Sequence, residues 1–366
     1  MDMPKRPIGG SFAWTVPEVM QRDDWICRLA EPDVAEIDAA VRSTRQRGLG
    51  IQEIGRDDFP LDRLTTRLGA LRAQIRSGLG FGYIKGLPVE RYDRETLIRI
   101  YWGLSRHIGD PITQNRNGHV VGHVIDVGDT EQDHNRRLTQ STAELCFHTD
   151  SCDVVGLLCI NRARTGGESR IVSGIAVHDE LMRRRPDLLP EFYKPIYMDR
   201  RGEVPAGKQP WFGMPLFSWH RGLFTGYSPI RQYIDSLARF PDAPRMSNVQ
   251  REALDVYYGI CEEERFCLKL HFEPGDIQFL QNHVVFHSRT EYVDGPGPKR
   301  HLMRMWLSLP DGRLLPPHMA EKWINIEVGT RRGGVPTDRS RSSRSTRSRP
   351  PTPSRWLMGP GRSRRQ

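Results

Sequence analysis

Apolar residues return every three or four positions in two early stretches. Over 32–47 the repeat is Val34, Ile37, Ala40 and Val41, and over 61–77 it is Leu64, Leu68, Leu71 and Ile75. Each set lies on one face of a helix. The apolar run GLGFGYIKGLP follows, bounded by glycines, and reads as a buried strand. A third helix is expected over 94–107. Residues 1–30 show no period, although Trp14 and Trp25 fall there, and read as irregular. Together these elements predict a helical wall over about 1–110.

From Gly118 the period shortens. Residues 118–128, 145–150, 154–160 and 169–173 are short β-branched segments with turn residues between them. A helix is expected over 173–185, stopped by Pro186, then a loop-rich stretch over 190–217 and a helix over 250–264. Strands are expected again over 266–272, 277–283, 284–292 and 301–309. Strands on both sides of a helical and loop insertion predict an α+β chain with a mainly β core, an antiparallel sandwich or barrel with helices outside. After Gly329 the composition turns to Arg, Ser, Pro and Gly. One domain over 1–330 and a disordered tail over 331–366 are therefore expected.

Composition changes this picture in one respect. The chain of 366 residues has a formal charge of +9, but its last 36 residues hold eleven Arg against one Asp. The rest has 43 basic and 44 acidic residues and is nearly neutral. The basicity belongs to the tail, so whole-protein charge gives no argument for nucleic-acid binding. In the tail Trp356 is the only aromatic, and phosphate contacts there are the one nucleic-acid role the chain offers. No apolar run reaches membrane-spanning length, and the first residues lack the apolar core of a secretory signal. The six cysteines form no CxxC pair. Reduced thiols in a cytoplasmic protein are expected.

The chemistry-bearing residues form a spaced set. His148-Thr149-Asp150 places an imidazole and a carboxylate two apart, on one face if the segment is a strand. His283 and His287 follow in NHVVFHSRTEYVD, and Arg300 and Arg304 in KRHLMRMWL, where even positions share a face. Two His and one carboxylate leave metal positions open, which suits non-haem Fe(II) and O₂. A keto acid that chelates iron and ends in a carboxylate needs a guanidinium partner, because Arg binds carboxylate in a bidentate way. The same donors also suit a catalytic zinc hydrolase, but that leaves Arg304 without a role.

The order H-x-D, Gly-Gly-x-Ser (166–169), N-x(4)-H-x-R (282–289) and R-x-x-x-R (300–304) resembles the taurine/TfdA-type Fe(II)/2-oxoglutarate dioxygenases, over roughly residues 80–315. The resemblance implies a double-stranded β-helix, or jelly roll. It implies His148, Asp150 and His287 as iron ligands and Arg304 as partner of the distal 2-oxoglutarate carboxylate, with Arg300 assisting and Ser169 touching the cosubstrate. Only His287 falls at the family's N-x(4)-H position, so His283 is read as a neighbouring core histidine. The implied reaction uses O₂, with ascorbate as reductant in vitro. It oxidises, in the first place hydroxylates, an unactivated C–H of a small anionic or zwitterionic molecule and releases succinate and CO₂. Candidate substrate contacts are Asn115, Arg116 and His119 in TQNRNGH and Arg200 and Arg201 in the insertion, with Tyr197, Trp211 and Phe212 as an apolar lid. A homo-oligomer is compatible with this reading. The competing class is a nucleic-acid-binding accessory protein acting through the tail.

Overall fold

The first wall follows the apolar spacing closely. In the computed structural model, which describes residues 3–128, 141–205 and 207–335, the helices Glu31–Gln46 and Asp62–Ser77 bury the two predicted sets of side chains. The helix Arg94–Arg106 is capped by Asp93, whose carboxylate accepts from the Thr96 N–H. Ile37, Leu64, Leu68, Leu71, Ile98 and Tyr101 pack in one cluster against Ile84, Leu158, Ile277, Met303, Met305 and Leu307 of the larger sheet. Burying each such side chain stabilises by roughly 1.5–3 kcal/mol.

The larger sheet runs Ile26–Arg28, Phe81–Lys85, Ile277–Gln281, Val154–Asn161, His301–Ser308 and Asp110–Ile112, and Val121–Ile125 also pairs with His301–Ser308. Only the first pair is parallel. The smaller sheet runs Leu268–Leu270, Ser169–Ser173, Val285–Arg289 and Leu145–His148, all antiparallel. Along the chain, strands from 145 to 308 pass repeatedly from one sheet to the other. In His301–Ser308, Met303, Met305 and Leu307 meet the helices. Leu302, Arg304 and Trp306 alternate with them and turn to the interior.

Three expectations need correction. Residues 1–30 are not wholly irregular. They carry the helix Val16–Met20 and the edge strand Ile26–Arg28, and Trp14 is buried with its indole N–H on the Leu79 carbonyl, 2.7 Å. The stretch 190–217 is not mainly loop. Pro195–Asp199 pairs with Trp211–Pro215, and Phe217–His220 pairs with Leu223–Gly226. The charged turn between the first two strands hides their alternation.

The third correction concerns the domain edge. Arg332, expected in the tail, is 0% exposed. Its Nη2 and Nε bond the Asp153 carboxylate at 2.7 and 2.9 Å. His283 Nε2 donates to the same carboxylate at 2.9 Å, and so does the Leu309 N–H. The folded unit therefore reaches at least Val335, which is also buried. Residues 336–366, most of the expected tail, lie outside the described ones.

Removing the Arg332 guanidinium leaves a buried carboxylate without its main partner, so Arg332→Leu is expected to destabilise by about 3–5 kcal/mol, read as a lower denaturation midpoint. Adding Asp153→Asn is expected to recover part of the loss. Truncation before Arg332 should behave like the single variant, so a test of the tail alone must cut beyond Val335.

Candidate active site

The two sheets meet around three side chains. His148 is the last residue of Leu145–His148, and His287 lies directly opposite it in Val285–Arg289. Their ring centroids are 4.1 Å apart. Asp150 is past the strand end, so its alignment does not come from strand alternation. Asn282 supplies it instead. Its Oδ1 accepts the Asp150 N–H at 3.1 Å, and its Nδ2 donates to the Cys152 carbonyl at 3.2 Å. The Thr149 N–H is held by the Ser228 carbonyl. This gives the asparagine of N-x(4)-H a physical role, since it pins the H-x-D turn to the His287 segment.

His287 Nε2 lies 3.9 Å from Asp150 Oδ2. His148 Nδ1 donates to the Cys146 carbonyl at 2.9 Å, which leaves Nε2 as the lone-pair nitrogen. Burial pushes both imidazoles toward the neutral form. His148 falls below the ordinary histidine range, and His287 falls to about 3, with His148 adding to the effect. Burial opposes charge on Asp150 too, but Arg304, His287 and His148 outweigh it and hold the carboxyl below its usual range. Two neutral imidazoles and an ionised carboxylate are a donor set that fits Fe(II). Among the described residues no group of three or more His, Cys, Asp or Glu is arranged closely enough to hold a metal ion. Here Asp150 presents both oxygens to Arg304 Nη1, at 3.2 and 3.3 Å.

A cavity runs inward between the sheets. Val124, Leu157, Leu302 and Phe272 form apolar walls, and His148, His287, Ser169, Arg289, Arg300 and Arg304 also line it. Arg304 is heavily engaged, because Gln114 accepts from its Nε at 2.9 Å and donates to its carbonyl at 2.8 Å. Arg300 rests in the Gly166-Gly167 turn and donates to the Gly167 carbonyl at 3.1 Å. Gly167 has φ 73° and passes so close that a Cβ there would sit 2.7 Å from Arg300 Nε. The Gly-Gly-x-Ser element is therefore a seat for Arg300. Nη1 of Arg300, and Nε and Nη1 of Arg289, are buried without a hydrogen-bond partner among the described residues. Ser169 donates to Gln278 Oε1 at 3.0 Å.

A second cavity opens outward from His148, Asp150 and Arg304. Arg200, Arg201, Glu203, Tyr227, Tyr233 and Lys322 are among its lining residues. Arg200 lines the mouth, but its charge is taken by an ion pair with Glu321. Arg201 is held in the left-handed region, φ 52°, by the buried Asp199, which accepts its N–H at 2.8 Å. Asn115 and His119 are not brought to either cavity. They close a turn on each other, Asn115 Oδ1 accepting the His119 N–H at 3.1 Å. Arg116 reaches the Gly202 carbonyl. Tyr197, Trp211 and Phe212 belong to the hairpin behind the mouth and line neither cavity, whereas Met198 does. His283 is structural, as expected. Gln114 and Arg289 went unassigned from the sequence, although strand alternation places Arg289 on the His287 face.

The family model described as taurine catabolism dioxygenase TauD, TfdA family matches residues 44–306. FR-33289 synthase of Streptomyces rubellomurinus is 27% identical over 326 residues, 87% of this chain and 96% of that protein. A taurine hydroxylase-like protein of Stachybotrys chartarum is 29% identical over 314 residues, 81% and 79% of the two chains. Among solved structures, asparagine oxygenase with Fe(II), hydroxyasparagine and succinate superposes with TM-score 0.60 at 17% identity, covering 80% of this chain and 98% of the other. The non-heme iron oxygenase OrfP with Fe and alpha-ketoglutaric acid gives TM-score 0.54 at 16% identity, covering 77% and 93%. At these identities the structural likeness speaks for the fold.

Asn282→Ala is expected to weaken Fe(II) or Mn(II) binding about 10- to 100-fold while the protein stays folded, because it frees the Asp150 turn, and calorimetric metal titration measures this. The neutral histidines also predict an acid limit. His287, His123 and His301 are depressed to about 3, 3 and 4, mainly by burial. The unfolded chain then binds more protons below about pH 6.5, at up to ~1.4 kcal/mol per histidine per pH unit. The stability is fully present above that pH, and the thermal midpoint of metal-free protein is expected to fall steadily from pH 6.5 to 4.

Proposed function

The chain belongs to the TauD/TfdA family of taurine catabolism dioxygenases, and on that footing we propose how its site is used. It is an Fe(II)- and 2-oxoglutarate-dependent dioxygenase by family. The reading offered is hydroxylation of a small anionic or zwitterionic, amino-acid-like molecule held at the outer cavity. The observation that carries it is the pairing of His148 with His287 beside Asp150, at the meeting point of a cationic inner cavity and an outer one. The passage of the chain between two mainly antiparallel sheets supports a double-stranded β-helix core.

In this reading His148, Asp150 and His287 hold the iron through neutral imidazole nitrogen and carboxylate oxygen. When bound, iron with 2-oxoglutarate supplies the O₂-activating chemistry and the keto acid ends as succinate and CO₂. The protein's part is placement. The apolar walls of Val124, Leu157 and Leu302 take the methylene chain of the cosubstrate and keep water out. Ser169 and Arg300 receive its distal carboxylate. The resemblance alone gives that role to Arg304, but the engagement of Arg304 by Asp150 and Gln114 favours Arg300, whose Nη1 has no hydrogen-bond partner among the described residues. Arg304 then orients Asp150 and forms the wall shared by the two cavities.

For the substrate, Arg201 and the Lys322–Glu203 ion pair bring both signs of charge to the mouth, with Tyr227 and Tyr233 as flat apolar surface. The hydroxylated asparagine and arginine bound in the solved relatives support the amino-acid-like class. A metal hydrolase would leave the guanidiniums of the inner cavity unexplained.

The direct test is succinate release with Fe(II), ascorbate and 2-oxoglutarate across a library of amino acids and small anions. One library member is expected to stimulate release, and Asp150→Ala is expected to abolish it. Stimulated succinate formation that survives this substitution sinks the ligand assignment.

A further inference from the structure

Arg289 has no role in the scheme above, and its surroundings give it one. It follows His287 by two on the same strand, so both side chains reach the same face and both line the inner cavity. It is 6% exposed. Its Nη2 donates to the Ala143 carbonyl, which sets the orientation of the group. Among the described residues its Nε and Nη1 have no hydrogen-bond partner, and neither does Nη1 of Arg300. The two guanidiniums lie over one ring, Tyr292, with their carbons 4.8 and 5.1 Å from its centroid. No Asp or Glu lines this cavity among the described residues. Outside it, Asp294 accepts the Arg300 backbone N–H through Oδ1 and favours charge on Arg300, and Asp126 favours charge on Arg289, but neither carboxylate hydrogen-bonds these guanidiniums in the contacts described. Two like charges held side by side in a buried site are costly unless an anion joins them.

We propose that Arg289 is a second cosubstrate-binding residue, forming with Arg300 a two-guanidinium seat for the distal carboxylate, and that it sets the preference for a 2-oxo diacid over 2-oxo monoacids. This rests on the reading of the inner cavity as the 2-oxoglutarate site. Three donor nitrogens of two guanidiniums that share the Tyr292 ring are buried without a hydrogen-bond partner among the described residues, and a carboxylate has acceptor positions enough to engage all three. A 2-oxo acid without that carboxylate leaves both guanidiniums as they are, so its binding gains nothing from Arg289.

The test is anaerobic calorimetric titration of the Fe(II)-loaded protein with 2-oxoglutarate and, separately, with pyruvate, which lacks the distal carboxylate. Arg289→Gln is expected to weaken 2-oxoglutarate by about 30-fold or more, the scale for losing one partner of a buried charge pair. It should leave pyruvate binding unchanged. Arg289→Lys should restore part of the 2-oxoglutarate affinity. The metal-free melting temperature of Arg289→Gln should not fall, because an unpaired buried cation has been removed. A wild-type preference for 2-oxoglutarate that Arg289→Gln retains in full overturns this inference alone. Equal losses for both acids, with a lower melting temperature, mark a structural role and overturn it as well. A wild-type protein that binds both acids alike overturns the cosubstrate reading of the cavity, and this inference with it. Arg300→Gln, run in parallel, reports on that reading independently of Arg289.

Discussion

The register between Leu145–His148 and Val285–Arg289 is the constraint on which the site depends. It sets His148 opposite His287. A slip of one residue would send one imidazole to the other face of the sheet. The register is held at both ends. Val285–Arg289 is paired on its far side with Ser169–Ser173 through five consecutive residues, and the turn beyond His148 is fastened by Asn282 and Ser228. The third donor, Asp150, is thus placed by the hydrogen bond of its N–H to Asn282, in the segment just before Val285–Arg289, and the geometry of the set is a property of the paired strands together.

Around this register the protein concentrates buried charge, and it treats the charges in two ways. Asp153, His283 and Arg332 form a closed set in which every charge has a partner, and this set ties the chain near residue 332 to the base of the ligand turn. Arg289 and Arg300 are the opposite case, lining a cavity with buried donor nitrogens that have no hydrogen-bond partner among the described residues. Satisfied networks hold structure, and unsatisfied ones mark where a ligand completes the electrostatics. Arg304 lies between the two cases, bonded to Asp150 and Gln114 yet lining both cavities.

The mouth shows the same economy of means with backbone strain. Arg201 is one of two non-glycine residues with positive φ among the described ones. Buried Asp199 compensates by accepting its N–H, and Asp199 is itself held by Ser236 and Arg239. A turn bound this firmly presents Arg201 in one arrangement, which is what recognition of a small charged molecule requires.

The local code of this chain determined a good deal without any structure. Helical spacing named the buried faces of Glu31–Gln46 and Asp62–Ser77, because periodicity is a property of neighbouring residues, and the resemblance to the TauD/TfdA family pointed to His148, Asp150 and His287. The tertiary structure decided what depends on partners far along the chain. Strand alternation offers Arg300 and Arg304 as equals, and Gln114, 190 residues from Arg304, separates them. Composition assigns Arg332 to a tail, and Asp153, 179 residues away, draws it into the core. Asn115 and His119 have the right chemistry for a ligand but satisfy each other in a turn. In each case the deciding quantity is the burial and pairing of a polar group, and that is set only when distant strands are brought side by side.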